Sequence, residues 1–319
     1  MSWKTKAKIQ NLIAHLPERA GYSTYYWIQR HFGALKNGVD VAFEVRKSML
    51  IVKEINDQDL SIHDKKVLEI GAGRTLNTEI GLWLCGCGEI IAVDLNPYLA
   101  TDLVADSINW LKNNPDTVRE ILQPVSDDTE LFNERLDMLL QIPDGLDALS
   151  GLINLTYMAP ADARKLDIDS AAIDFHISTN VFEHVPGEDI RLIMEEARRV
   201  LKPDGLLVHR IDLSDHFAHA DGSLSSLNFL QFSKHEWDRL AGNKFAYHNR
   251  LRASDFKKLL SECGIQFCNW QEDVDEAALR LLSADFPLHQ DYLDYSHSDL
   301  ATHFVTCTGT FTQDTGRDD

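Results

Sequence analysis

The sequence predicts an α/β fold. It has a seven-stranded, mainly parallel sheet with helices on both faces, a helical cap at the N-terminus and a lid-like insertion after the fifth strand. Short β-branched-rich runs alternate with helical stretches, which implies parallel strands joined by crossover helices. The first run, Val67 to Ile70, stops abruptly at a glycine turn. Seven runs are present, and a long link separates the last two.

Residues 1–60 read as helices. Ile9, Leu12, Ile13 and Leu16 recur at helical spacing, and Pro17 marks a break. Gly21 reads as a turn, followed by helical stretches from Tyr25 to Phe32 and from Val41 to Ile55. These helices form either a cap over a site or packing against the sheet. The main domain spans 61–313. Its candidate strands are Val67–Ile70, Ile90–Asp94, Ile153–Met158, Ile173–Ser178, Leu206–Ile211, Ile265–Trp270 and Phe304–Phe311. Helices are expected at Thr78–Leu84, Asp189–Leu201 and Ser254–Cys263. Two stretches exceed what these units need. One, about 110–150, carries an added helix from Asp128 to Leu140; the other, 214–252, is rich in His, Asp and aromatic residues. Insertions of that size commonly serve as lids or binding elements. The polar end, 314–319, reads as a flexible tail.

The chain has 319 residues and a formal charge of −19. That charge argues against non-specific binding to nucleic acid or anionic membrane, since both phosphate surfaces would repel it. Lys4, Lys6 and Lys8 read as a solvated helix face. No run of about 18 apolar residues suggests a membrane span, and the N-terminus lacks a secretory pattern. Five cysteines, an odd count in a long chain, suit reduced thiols in a cytoplasm. Neither Cys85/Cys87 nor Cys263/Cys268 has the spacing of a zinc framework, and no metal is assigned.

The strongest chemical signal is Glu69-Ile70-Gly71-Ala72-Gly73, between the first strand and a helix. Glycines there let the backbone turn tightly and approach a ligand, and the helix N-terminus offers free N–H groups. Asp94, ending the second strand, can accept both hydroxyls of a ribose. A nicotinamide-dependent oxidoreductase shares these features. However, Arg74, Thr75 and Leu76 follow Gly73, so the third glycine of that fingerprint is missing. Glu69 suits a ligand with a cationic end.

Val67-Leu68-Glu69-Ile70-Gly71-Ala72-Gly73 resembles the first motif of class I S-adenosylmethionine-dependent methyltransferases, whose domain is Rossmann-like. The resemblance implies Asp94 as the ribose-binding acid and Leu95 packing beside the adenine. Asp162-Ala163 resembles the pair that contacts the adenine. Asp174 to Val185, with Thr179 and His184, is similar to the family's fourth strand and following turn. Val200-Leu201-Lys202-Pro203-Asp204-Gly205 is similar to the turn before the fifth strand, with Asp204 where glycine is commoner. S-adenosylmethionine is the implied cofactor, with Glu69, Gly71, Gly73, Asp94, Leu95, Asp162, Ala163 and Thr179 around it.

For the acceptor, His209 to Phe217 straddles the end of the fifth strand, where ligands of open α/β sheets bind. Asp212, Asp215 and His216 are therefore candidate catalytic residues. His216 reads as a general base, with a metal-holding cluster or a plain surface cluster as the other readings. His184, Arg250 and Arg252 are candidate acceptor-binding residues. The arginines would grip a carboxylate or phosphate, or else serve as helix cap and core. The lid-like stretch and leading helices resemble bacterial methyltransferases of surface-polysaccharide clusters. That implies O-methylation of a sugar or glycan-type hydroxyl, and the two arginines leave open an acceptor that carries negative charge. The two rivals are the oxidoreductase and a non-catalytic cofactor-binding protein. No nucleic-acid partner is expected, and a homo-oligomer stays open.

Overall fold

A computed structural model of the protein describes residues 2–143 and 145–312. The tail expected at 314–319 lies outside the described residues. The strands are β1 (Lys66–Ile70), β2 (Glu89–Val93), β3 (Leu155–Met158), β4 (Ile173–Thr179), β5 (Leu201–Asp212), β6 (Ile265–Val274) and β7 (Thr302–Phe311). They form one sheet in the order β3-β2-β1-β4-β5-β7-β6. Strands β1 to β5 are parallel, and β7 runs antiparallel between β5 and β6. The first five follow a doubly wound Rossmann-like order, which reverses direction at β1 and β4 and opens a crevice at their carboxyl ends. Every residue of β4 is buried, as expected of a strand covered on both faces.

The N-terminal segment forms α1 (Trp3–Ala14), α2 (Glu18–Phe32) and α3 (Val41–Asn56). Gly21 is not a turn. It sits in the first turns of α2, where an added Cβ would lie 3.3 Å from the Ile13 carbonyl of α1. The three helices do two different jobs. Helix α3 buries Val45, Ile51, Val52 and Ile55 in the main core beneath the sheet. Its Glu54 accepts from Thr308 of β7 at 2.7 Å, so α3 belongs to the main domain rather than to a cap. Helix α1 instead joins a separate aromatic core.

Helix α4 (Asn77–Leu84) follows β1. Between β2 and β3 lie α5 (Thr101–Asn113), α6 (Pro115–Leu122), α7 (Thr129–Gln141) and α8 (Leu146–Leu152). These helices, the predicted insertion, thicken one layer by burying Leu111, Phe132, Leu136 and Leu139 against α3 and α4. The opposite layer is α9 (Gly187–Val200) and α11 (Ala253–Glu262), which bury Ile190, Met194, Phe256 and Leu260. The turn expected at 200–205 is a bulge within β5: Ile173 pairs with Leu201, and Phe175 next pairs with Leu206. A bulge accommodates Pro203, which cannot donate to the ladder.

The 214–252 insertion is not a bare loop. It contains α10 (Lys234–Ala241) and, with α12 (Glu276–Ser283) and α13 (His297–Ala301), builds a third core. Trp3 of α1 stacks on Trp237 with ring centroids 5.6 Å apart. No helix among the described residues is long and apolar enough to cross a membrane.

Contact between α3 and α4 depends on Gly81, where a Cβ would overlap Ser48 Oγ. Gly81→Ala should destabilise the fold by about 1–3 kcal/mol through overpacking, despite alanine's better helix propensity. The denaturant midpoint reads this out; an unchanged midpoint would mean that the two helices can part freely.

Candidate active site

Two cavities meet at the carboxyl ends of the strands. The outer cleft, about 720 Å³, runs along Ile70, Gly71, Gly73, Asp94 and Leu95, past Asp162 and Ala163, to Asn180 and Val181. The inner cavity, about 220 Å³, lies between α1, α2 and the 214–252 segment. Tyr25, His184 and Phe245 line both, so the two share a wall.

The cradle of the outer cleft follows from local backbone. Gly71 and Gly73 have φ of +83° and +77°, a region that costs any L side chain. A Cβ on Gly71 would press to 2.5 Å from Val181 Cγ2, whereas one on Gly73 would meet open space. The first glycine is therefore needed for close packing of β1 against the turn after β4. The second keeps the cleft floor clear. The Gly73 N–H donates to Asp94 Oδ2 at 3.0 Å, and the Tyr157 hydroxyl donates to the same oxygen at 3.0 Å. Oδ1 is left for a ligand. Burial raises the Asp94 carboxyl to about 7, against the pull of those two hydrogen bonds.

Leu95 stands out into the cleft, 65% exposed, and Ala163 lines it beside Asp162. Arg164 grips both oxygens of Asp162 at 2.7–3.1 Å, which holds that carboxyl below its usual range. Two expected members are not on the wall. Glu69 lies buried behind it among Glu79, Asp94 and Lys47. Burial, then the Asp94 charge, pushes it up to about 8, so at neutral pH it offers a cation no fixed charge. Thr179 is buried in β4, paired with Arg210. Its neighbour Asn180 lines the cleft instead, in left-handed backbone at φ +57°, which Asn tolerates better than most residues. A polar residue directly after a fully buried strand was the available signal.

The α2 and lid residues at the cleft mouth had no recognisable motif. Tyr22 and Tyr25 reach over from α2, and Lys244, Phe245 and Tyr247 over from the lid. Arg74 lies over the rings of Tyr26 and Tyr98, 4.9 and 5.8 Å from their centroids.

The inner cavity has walls of Tyr25, Phe217, Phe229, Trp237 and Phe245, and polar groups from Lys6, Gln10, His184, Asp215, His216 and His248. Lys6 therefore does more than solvate a helix face. Several buried polar atoms around it have no partner: Gln10 Oε1, Trp237 Nε1 and His248 Nε2. Buried polar atoms without partners cost about 1–3 kcal/mol each, a cost that a hydroxylated ligand would offset. His184 Nδ1 bonds to the Tyr247 carbonyl at 2.7 Å, which orients its ring across the shared wall. Asp215 accepts from Asn228 at 2.7 Å and from the Phe217 N–H at 2.8 Å. Burial nonetheless raises its carboxyl.

His216 faces the cavity, with Nε2 3.4 Å from Asp212 Oδ2 behind it. Burial pushes the Asp212 carboxyl up, but His216 and two Ser214 hydrogen bonds outweigh it and hold the carboxyl well below its usual range. Asp212 thus backs the histidine and does not line the cavity itself.

Arg250 and Arg252 do not reach the cavity. Arg250 donates to the carbonyls of Phe229 and Phe232 at 3.0 and 2.8 Å. Arg252 is 1% exposed and donates to the carbonyls of Leu213, Leu300 and Thr302 at 2.9–3.3 Å. Both are pillars of the third core, occupied by backbone acceptors and so unavailable to an anion. Their spacing alone cannot distinguish a carbonyl from a carboxylate as partner.

Residues 147–209 match a family model described as a methyltransferase domain. No curated protein matches the chain in sequence. Among solved structures, it is similar to a geranyl diphosphate methyltransferase in complex with S-adenosylmethionine, at 10% identity and TM-score 0.45 over 84% of this chain and 85% of that one. It is also similar to an S-adenosylmethionine-dependent methyltransferase from Mesorhizobium loti, at 13% and 0.39 over 81% and 96%. A third is a TehB-like methyltransferase from Corynebacterium glutamicum, at 13% and 0.40 over 92% and 100%.

Arg252→Met strips three buried carbonyls of their donor. It should cost about 3 kcal/mol or more of stability, measured by equilibrium denaturation. Stability equal to wild type would return the guanidinium to the ligand-binding groups.

Proposed function

We propose that the chain is an S-adenosylmethionine-dependent methyltransferase that binds its donor in the outer cleft and methylates a hydroxyl of a small, sugar-like ring in the inner cavity. One observation carries this reading: a nucleoside-sized cleft with a glycine floor and a free carboxylate oxygen shares a wall with an aromatic, polar cavity. The outer volume falls within the range of about 300–1,000 Å³ usual for ligand pockets; the inner falls below it and suits one ring or the end of a longer molecule. Aromatic faces stack on the apolar sides of a sugar, and the unpartnered polar atoms meet its hydroxyls.

The cleft fits the donor. Asp94 Oδ1 accepts from the ribose hydroxyls, Gly73 leaves room for them, and Leu95 with Ala163 flanks the base. A nicotinamide dinucleotide fits less well. Leu76 occupies the position of its third glycine and is fully buried, so no backbone there approaches a pyrophosphate. When bound, S-adenosylmethionine supplies a methyl group on a positively charged sulfur. The protein's part is to bring an acceptor hydroxyl through the shared wall and align it. His216 takes the hydroxyl proton, and Asp212, beside its Nε2, stabilises the resulting imidazolium. The family match over 147–209 supports methyl transfer. The sugar-type acceptor rests on the inner cavity's chemistry.

Asp94→Ala should weaken S-adenosylmethionine binding about tenfold or more, because the ribose hydroxyls lose a charged acceptor. Wild-type affinity should itself fall as pH drops from 8 to 6. The carboxyl at about 7 takes up a proton across that range, and binding favours the charged form. Calorimetry across pH measures both; a flat profile together with an unaffected variant would put the ribose elsewhere. His216→Ala should leave donor affinity intact and cut turnover about 10²- to 10⁴-fold. Single-turnover assays with a panel of monosaccharide acceptors decide this, and unchanged turnover would exclude His216 as the base.

A further inference from the structure

Behind the inner cavity, three imidazoles converge on one buried carboxylate. His216 Nε2 and His219 Nε2 lie 3.4 and 3.7 Å from Asp212 Oδ2, and His303 Nε2 lies 3.8 Å from Asp212 Oδ1. None of the three forms a hydrogen bond to it. His303 Nε2 is buried with no hydrogen-bond partner at all. His216 faces the acceptor cavity, whereas His219 and His303 do not line it. They come from different stretches: Asp212 from the end of β5, His219 from the segment after it and His303 from the start of β7.

We propose that Asp212, His219 and His303 hold one divalent transition-metal ion. Their ligand atoms all lie within 4.8 Å of one another. Spacings of this kind are too long for hydrogen bonds and fit donors around a shared ion. Two donors about 2.1 Å from one ion in tetrahedral arrangement stand about 3.4 Å apart. Two imidazoles and a carboxylate suit zinc, iron, manganese or nickel rather than calcium, which prefers oxygen.

Ser214 supplies the outer support such a site needs. Its Oγ and N–H donate to Asp212 Oδ1 at 2.6 and 2.9 Å, which orients the carboxylate and leaves Oδ2 unbonded. Ser214 Oγ also lies 3.0 Å from His219 Nε2, a contact that His219 exchanges for the ion. A second group, Glu183, His184 and His216, has similar spacing, but His184 and His216 belong to the acceptor cavity's wall. The Asp212 site acts on that wall from behind. It ties residues 213–219, which carry Asp215 and His216, to the start of β7. The ion is thus a clamp for the cavity wall, held on the same carboxylate that backs His216.

The test uses the full chain, stripped with a chelator and titrated with Co²⁺ while visible absorption is followed. One Co²⁺ per chain should bind and raise the melting temperature. His219→Ala and His303→Ala should each weaken binding at least about tenfold and abolish the thermal shift. His235→Ala, on an exposed helix face, should bind as wild type does. Circular dichroism of the stripped variants checks that they fold; the partly exposed His219 carries the test if His303→Ala does not. No saturable binding, or equal binding by both ligand variants, would overturn the proposal. Donor calorimetry on the stripped protein is a separate readout, so failure here leaves the methyltransferase reading where it was.

Discussion

The site depends on one buried carboxylate. Asp94 follows β2, one strand from the point where the sheet order reverses, and one of its oxygens is tied to the Gly73 N–H and the Tyr157 hydroxyl. That pair of bonds joins the tips of β1, β2 and β3, fixes the glycine turn and turns the other oxygen toward the cleft. It works only because the strands beneath are held in register by cores on both sheet faces. It also needs Gly71 to let Val181 pack against the turn. A carboxylate this buried raises its own pKa, and two directed donors keep the charged form within reach of neutral pH.

Around that centre the chain builds an inner room with a separate core. Trp3, Phe217, Phe229 and Trp237 pack α1 against the lid. Arg250 holds the lid's Phe229 and Phe232 carbonyls from inside, and Arg252 holds those of Leu213, Leu300 and Thr302. The charge of these arginines is spent on architecture. Lys6 is left as the cation in the cavity lining, close enough to Asp215 for the two charges to interact.

The sheet and the glycine turn were legible in the sequence because their signals are local. A buried parallel strand is a short apolar run, and a turn with positive φ calls for glycine, so the seven strands and Gly71, Gly73 and Asp94 could be read directly. Glu69 was misread because its burial behind the strand tip comes from α3 and α4, distant in sequence. Thr179 ends β4 facing the core, and Asn180, one residue further on, lines the cleft. The arginines illustrate the same limit: composition specifies a donor, and only the tertiary fold specifies whether its partner is a ligand or a carbonyl. Lys6 and Gln10 enter the site across more than 200 residues, where no periodicity could connect them to His216. Helix α3 looked like part of a cap because amphipathicity gives a buried face without saying what covers it.

The proposed function divides donor and acceptor between two cavities with a common wall. A crystal structure with S-adenosylhomocysteine is the decisive measurement. Ribose hydroxyls are expected on Asp94 Oδ1, adenine between Leu95 and Ala163, and sulfur facing the wall formed by Tyr25, His184 and Phe245. Density for the nucleoside in the inner cavity, or in the outer cleft with sulfur turned away from that wall, would contradict it.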